Sequence, residues 1–145
     1  MKTILVPTDF SSHSEKAVEF AKKLAKLTGG KIHILHCYQI NVGGVSPYGV
    51  TVPEEYNRQM REAAVKRVEE VAEAVAADGI QVESHITPSY PSEAVSDLAS
   101  EIGADLIVMG TRGSTGLKHV LLGSVAERTL RIAPCPVVTV KDTDE

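Results

Sequence analysis

The chain has 145 residues, 43% of them hydrophobic and 23% charged, with a net charge of −4 and no tryptophan. That length suits one domain, residues 1–145, able to bury a core without a metal or disulfide staple. The acidic balance weighs against a surface that grips nucleic acid throughout, and no apolar run approaches the roughly 18 residues of a membrane span.

"TILVP" (Thr3 to Pro7) reads as a first strand. The few apolar residues before Pro7 are too short a run for a signal-peptide core, so the expected compartment is the cytoplasm. From Ser12 to Thr28, apolar residues recur at helical spacing at Ala17, Val18, Ala21, Leu24 and Ala25. Ser12 and Glu15 form a capping-box pattern at the start of this helix, and Gly29-Gly30 ends it. "KIHILHC" (Lys31 to Cys37) is a second strand. Cys37 and Cys135 have no metal-like spacing and are expected as reduced thiols.

From Tyr38 to Tyr56 the rhythm breaks into a glycine- and proline-containing stretch, a flexible loop at about 39–53, with Tyr48 near its tip. A loop this long in a compact domain is commonly functional, as a lid or a partner surface. A long helix follows over Pro53 to Ala77, with Ala64, Val65, Val68, Val71, Ala72, Val75 and Ala76 turned inward. Ile80 to Ile86 alternates apolar and polar, as a half-solvated strand does. Pro91 opens a helix to Ile102, Asp105 to Gly110 is a fourth strand, and Ser124 to Ile132 is a last helix. Pro136 to Lys141 is a fifth strand, followed by a charged tail at 142–145, and there is no internal repeat.

Strands alternating with helices imply an open parallel five-stranded sheet with helices on both faces, an α/β fold. The unbroken "ILV" and "LIVM" runs suit central strands, and the alternating third strand suits an edge, which gives the order 3-2-1-4-5. Ligands in such sheets bind where the strand order reverses, outside the carboxyl ends of strands one and four. The segments there are "PTDFS" and "GTRGSTG".

Gly110 and Gly113 permit a tight turn and close approach of a ligand to the backbone. Gly123-Ser124 precedes a helix whose free N–H groups, at Ser124, Val125 and Ala126, favour an anion. Arg112 and Lys118 add positive charge. The competing account is a mere connector in which Ser124, paired with Glu127, caps its own helix. Asp9 is placed either to accept ribose hydroxyls or hold a metal ion, or to cap the first helix. Walker A spacing is absent, and Pro7-Thr8-Asp9 replaces the G-x-G-x-x-G of dinucleotide folds. Asp105 lies at the wrong end of its strand, about 13 Å from the ligand side, and is structural. His13, His33, His36, His85 and His119 show no metal-ligand spacing, and no Ser-His-Asp set is arguable.

With "ILVPTDFS", "ILHC" and "ADLIVMGTRGSTGLKHVLLGSVAERTLRIAPCPVVTV" in place, the chain resembles the universal stress proteins, small Rossmann-like binders of adenine nucleotides. The resemblance spans nearly the whole length. Gly110, Gly113, Gly123 and Ser124 match the family's G-x2-G-x9-G-[ST] pattern, whereas Gly116 lies outside it. The resemblance implies that Pro7, Thr8 and Asp9 border adenine and ribose, and that Cys37 offers its backbone to adenine. Met109 and Gly110 would flank the sugar and first phosphate, with Arg112, Gly113, Gly123, Ser124 and Val125 along the phosphates. Ala126 departs from the hydroxyl frequent there in the family.

The resemblance also implies a homodimer through the last strand, Pro136 to Val140. The resulting expectation is a cytosolic ATP-binding regulatory protein of the stress response, without catalytic residues and at most a slow hydrolase of ATP, acting on neither nucleic acid nor membrane. One alternative is a slow ATPase or a nucleotidyl or phosphoryl transferase using Asp9 and Mg²⁺. The other is a module that binds AMP or cyclic AMP, or no nucleotide.

Overall fold

The computed structural model describes residues 1–38, 53–112 and 122–143. Five parallel strands, β1 (Thr3–Pro7), β2 (Lys31–Cys37), β3 (Val82–Thr87), β4 (Leu106–Gly110) and β5 (Val137–Val140), form one sheet in the order β3-β2-β1-β4-β5. The helices are α1 (Ser12–Thr28), α2 (Glu54–Ala77), α3 (Pro91–Ile102) and α4 (Ser124–Ile132). The order expected from the apolar runs is the order found.

Alternation along the central strands divides the core in two. Ile4 and Val6 of β1, Ile32 and Ile34 of β2, and Leu106 and Val108 of β4 face α1 and α2, against Ala17, Val18 and Ala21 and against Val68 and Val75. Leu5, Leu35, Ile107 and Met109 face the other way, against Ala94, Val95 and Ala99 of α3 and Ala126 of α4. Each fully buried Leu, Ile or Val contributes about 1.5–3 kcal/mol relative to exposure. Both faces of β1 and β4 are covered, which explains their unbroken apolar runs.

The punctuation differs from expectation in small ways. The N-cap of α1 is Ser11, one residue before Ser12, and its side chain accepts from the Ser14 amide at 3.3 Å. Gly29 ends that helix with φ of 71°. Along α2 only Ala64, Val68 and Val75 are buried and Ala76 is exposed, because this helix covers the edge of the sheet through a narrow seam. Ile80 is buried, but in the turn before β3 and outside the ladder, which begins where Val82 meets Ile32. At the amino ends of the strands, the exposed Asp105 carboxylate accepts the Lys2 and Thr3 amides at 2.9 and 3.0 Å, tying β4 to β1. Those two donors hold its pKa below the ordinary range.

Candidate functional site

At the carboxyl ends of β1 and β4, where the strand order reverses, a cavity of about 320 Å³ opens. Every expected site residue among the described residues lines it: Pro7, Thr8 and Asp9 after β1; Cys37 at the end of β2; Met109, Gly110 and Arg112 at β4; and Gly123, Ser124 and Val125 at the start of α4. Gly113, Gly116, Lys118 and His119 lie outside the described residues, as does the loop at 39–52 that carries Tyr48.

The turn after β1 is held from within. Thr8 is buried, and its hydroxyl donates to Ser14 Oγ at 3.0 Å and accepts the Phe10 amide at 3.0 Å. Its side chain is therefore committed to the turn. The Thr8 amide donates to the Leu35 carbonyl at 2.8 Å, and His36 Nδ1–H donates to the Thr8 carbonyl at 2.8 Å, fixing the tautomer of that histidine. Phe10 adopts φ of 66°, a left-handed conformation that costs a bulky residue energy. Its ring is buttressed by His36, centroids 4.3 Å apart, and by the Arg67 guanidinium carbon 4.0 Å from its centroid. This turn presents Asp9 as an exposed carboxylate, with Oδ1 accepting the Ser11 amide at 3.0 Å and the Ser11 hydroxyl at 2.5 Å. Asp9 thus stands outside the helix, held by the capping residue and not serving as the cap itself.

On the opposite wall, the Gly123 amide donates to the Thr111 carbonyl at 2.6 Å, and the Thr111 amide donates to Val140 at 3.2 Å. The segment leaving β4 is therefore closed at its base, and α4 starts beside the strand end. The N-cap of α4 is Gly123, in extended conformation, which has no side chain to cap the helix with. The first intrahelical bond runs from the Glu127 amide to the Gly123 carbonyl, which leaves the amides of Ser124, Val125 and Ala126 beyond the intrahelical ladder. Ser124 is exposed and does not cap its own helix, so the connector account fails at this residue. Ala126 is buried in the core facing α3, where its methyl packs against the sheet.

Gly110 is required for a reason different from ligand approach. A Cβ there would stand 2.9 Å from the His13 carbonyl carbon and oxygen. The close approach is of helix α1 to the end of β4.

Cys37 is half-buried, and burial pushes its thiol up to about 11, so it is neutral at physiological pH. Ser14, Leu35, Pro91 and Thr111 also line the cavity and were not expected there. Ser14 and Pro91 sit on helices that only the tertiary fold brings to the strand ends. Thr111 occupies an unspecified position of the glycine pattern. Asp9 is the one carboxylate among the described residues lining the cavity.

A family model described as the universal stress protein family matches residues 1–141. Universal stress protein MJ0531 of Methanocaldococcus jannaschii is 36% identical over 148 residues, covering 97% of this chain and 82% of that protein. The solved structure of MJ0577 superposes with a TM-score of 0.85 at 30% identity, covering 99% of this chain and 98% of its own. A universal stress protein solved in complex with cAMP superposes with a TM-score of 0.71 at 26% identity, covering 97% and 96%. No helix among the described residues is long and apolar enough to cross a membrane.

Proposed function

This chain belongs to the universal stress protein family, and from that premise we propose that it is an ATP-binding regulatory protein of the stress response. The nucleotide lies in the cleft between the ends of β1 and β4. The observation that carries this reading is the N-terminus of α4, which starts on a glycine and opens into the same cavity as Asp9. Three amides and the helix dipole form an anion site there. Asp9, whose Oδ1 is oriented by Ser11, lines the cavity with an exposed carboxylate, the group to which ribose hydroxyls donate. Arg112 and Gly113 continue the phosphate path, Pro7 and Thr8 border the sugar and base, and the backbone at Cys37 meets the adenine. Met109 and Gly110 close the floor beneath the sugar.

A single carboxylate among the described residues lining the cavity is sparse equipment for phosphoryl transfer, which supports binding over turnover. Mg²⁺ would arrive with the triphosphate, and Asp9 is the group able to meet it. A homodimer through the outer edge of β5 completes the proposal, with the cytoplasm as its compartment.

Isothermal titration with ATP tests the reading, and the absence of both heat and a thermal shift at millimolar ATP would sink it. The cAMP complex of a relative favours one alternative, a binder of adenosine monophosphates. Under that alternative AMP or cyclic AMP matches ATP in affinity, whereas a triphosphate site discriminates between them.

A further inference from the structure

Away from the nucleotide cleft, the edge of the sheet carries a cluster that no local spacing in the sequence announces. In the β2–β3 register, His33 lies opposite Glu83, and His85 follows two residues later on the same face. Val82 and Ile86 turn to the other face, into the core beneath α2. His33 Nδ1 and His85 Nε2 face each other at 2.9 Å, with the rings stacked at 5.2 Å. A Glu83 oxygen stands 3.9 Å from His33 Nδ1, and all three ligand atoms lie within 4.8 Å of one another. His33 is four residues before Cys37, about 13 Å along the strand, so this cluster is separate from the cleft.

We propose that His33 Nδ1, His85 Nε2 and a carboxylate oxygen of Glu83 form a site for a divalent transition-metal ion of the zinc class. Two imidazoles and a carboxylate are a borderline-soft donor set that suits Zn²⁺, with water as the fourth ligand. Ligand atoms around a tetrahedral zinc lie about 3.3 Å apart, given bonds of about 2.0–2.1 Å. The histidine pair must open by about 0.4 Å, and the Glu83 oxygen must close by about 0.6 Å on His33 and by up to about 1.5 Å on His85. Glu83 is exposed and can make that move, while His33 is buried and fixed by the strand.

In the metal-free protein, one facing nitrogen carries the hydrogen that the other accepts. Metal binding moves that hydrogen to the far nitrogen of its ring, so both facing atoms present lone pairs and no net proton is lost. Lys31 Nζ also holds the Glu83 Oε2 atom, at 2.9 Å, and competes for the carboxylate. The second carboxylate oxygen lets Glu83 serve both partners.

The test is a titration of the full, chelator-stripped chain with Zn²⁺ alone, in competition with a chromophoric chelator and without nucleotide. One equivalent per chain is expected. His85→Gln and Glu83→Gln, both on the exposed edge strand, are each expected to weaken binding by at least about tenfold while leaving the far-ultraviolet circular dichroism unchanged. Substoichiometric binding by the native chain, or undiminished binding in either variant, would overturn the proposal. Asp9→Asn, in the cleft, is expected to leave the Zn²⁺ titration unaltered, and a loss there would place the ion in the cleft and overturn the edge site.

Discussion

Gly110 lies so close to the first turn of α1 that a β-carbon on it would stand 2.9 Å from the His13 carbonyl carbon and oxygen. The contact is with backbone, which a side-chain rotation cannot relieve. Gly110→Ala is therefore expected to push α1 off the sheet and to destabilise the chain by about 1–3 kcal/mol, the range for overpacking a core. Chemical denaturation without nucleotide measures it. A stability equal to the native chain would show that the glycine serves a ligand and not the packing.

Ser124 reverses that pattern. It is exposed at the first position of α4, and the N-cap position belongs to Gly123. Ser124→Ala should leave stability within about 0.5 kcal/mol of native, yet weaken ATP by about fivefold, the equivalent of one hydrogen bond near 1 kcal/mol. Ser124→Pro keeps the helix start, because Gly123 has ψ of 163°, which suits the residue before proline. Proline removes the amide as well, so a further loss of affinity beyond Ser124→Ala would report the backbone contact. Equal affinities would remove the amide from the site.

The sheet order was legible because burial on both faces leaves its mark in sequence as unbroken runs such as Ile4-Leu5-Val6 and Leu106–Met109. The helix end of the candidate site was legible because Gly123, Ser124 and the α4 start are contiguous, so a local pattern encodes them. What escaped depends on register and packing. The role of Gly110 rests on α1, nearly a hundred residues earlier. Ser14 enters the site only because α1 packs beside the strand ends, where its hydroxyl accepts that of Thr8. His33 and His85 are 52 positions apart, and only the β2–β3 ladder makes them neighbours. The Ser12 cap failed by one residue: Ser11 is the N-cap and accepts the Ser14 amide, while its own amide donates to Asp9 and the Ser14 hydroxyl to the Ser11 carbonyl, so no reciprocal box closes.

Asp105 sets an acid limb of stability. Its pKa is lowered chiefly by the Lys2 amide and then by that of Thr3. A lowered folded value means that its contribution is fully present above the ordinary aspartate value, about 3.9, and is lost as pH falls through the folded value. Asp105→Asn is expected to be less stable than native at neutral pH, with the gap closing at the acid end. Urea midpoints from pH 7 down to pH 2 check this, and a constant gap would contradict it.

Cys37 reports on the cleft from its wall. Burial raises its thiol to about 11, so the neutral form prevails until well above the usual cysteine value of about 8.5. Its contribution to stability is intact below that value and declines as pH rises toward 11. Alkylation at pH 7 should be slow, and slower again when ATP fills the cleft, while Cys135, outside the cavity lining, keeps its rate. Mass spectrometry of each peptide measures both. Equal rates at Cys37 with and without ATP would argue that the nucleotide does not reach the end of β2.

The edge of β5 is the last element to test. Ile107 donates its amide to Pro136, and Thr111 donates to Val140, so residues 136, 138 and 140 turn their backbone toward β4. By alternation, Val137 and Thr139 present theirs to the outside, with no further strand of this sheet beyond them among the described residues. Thr139→Pro removes one outward N–H and leaves the β4 ladder intact, the placement in which a strand tolerates proline. If two copies join along this edge, the native chain elutes at twice the monomer mass in light scattering, and Thr139→Pro elutes as a folded monomer. A dimer that survives the substitution would move the interface to another surface.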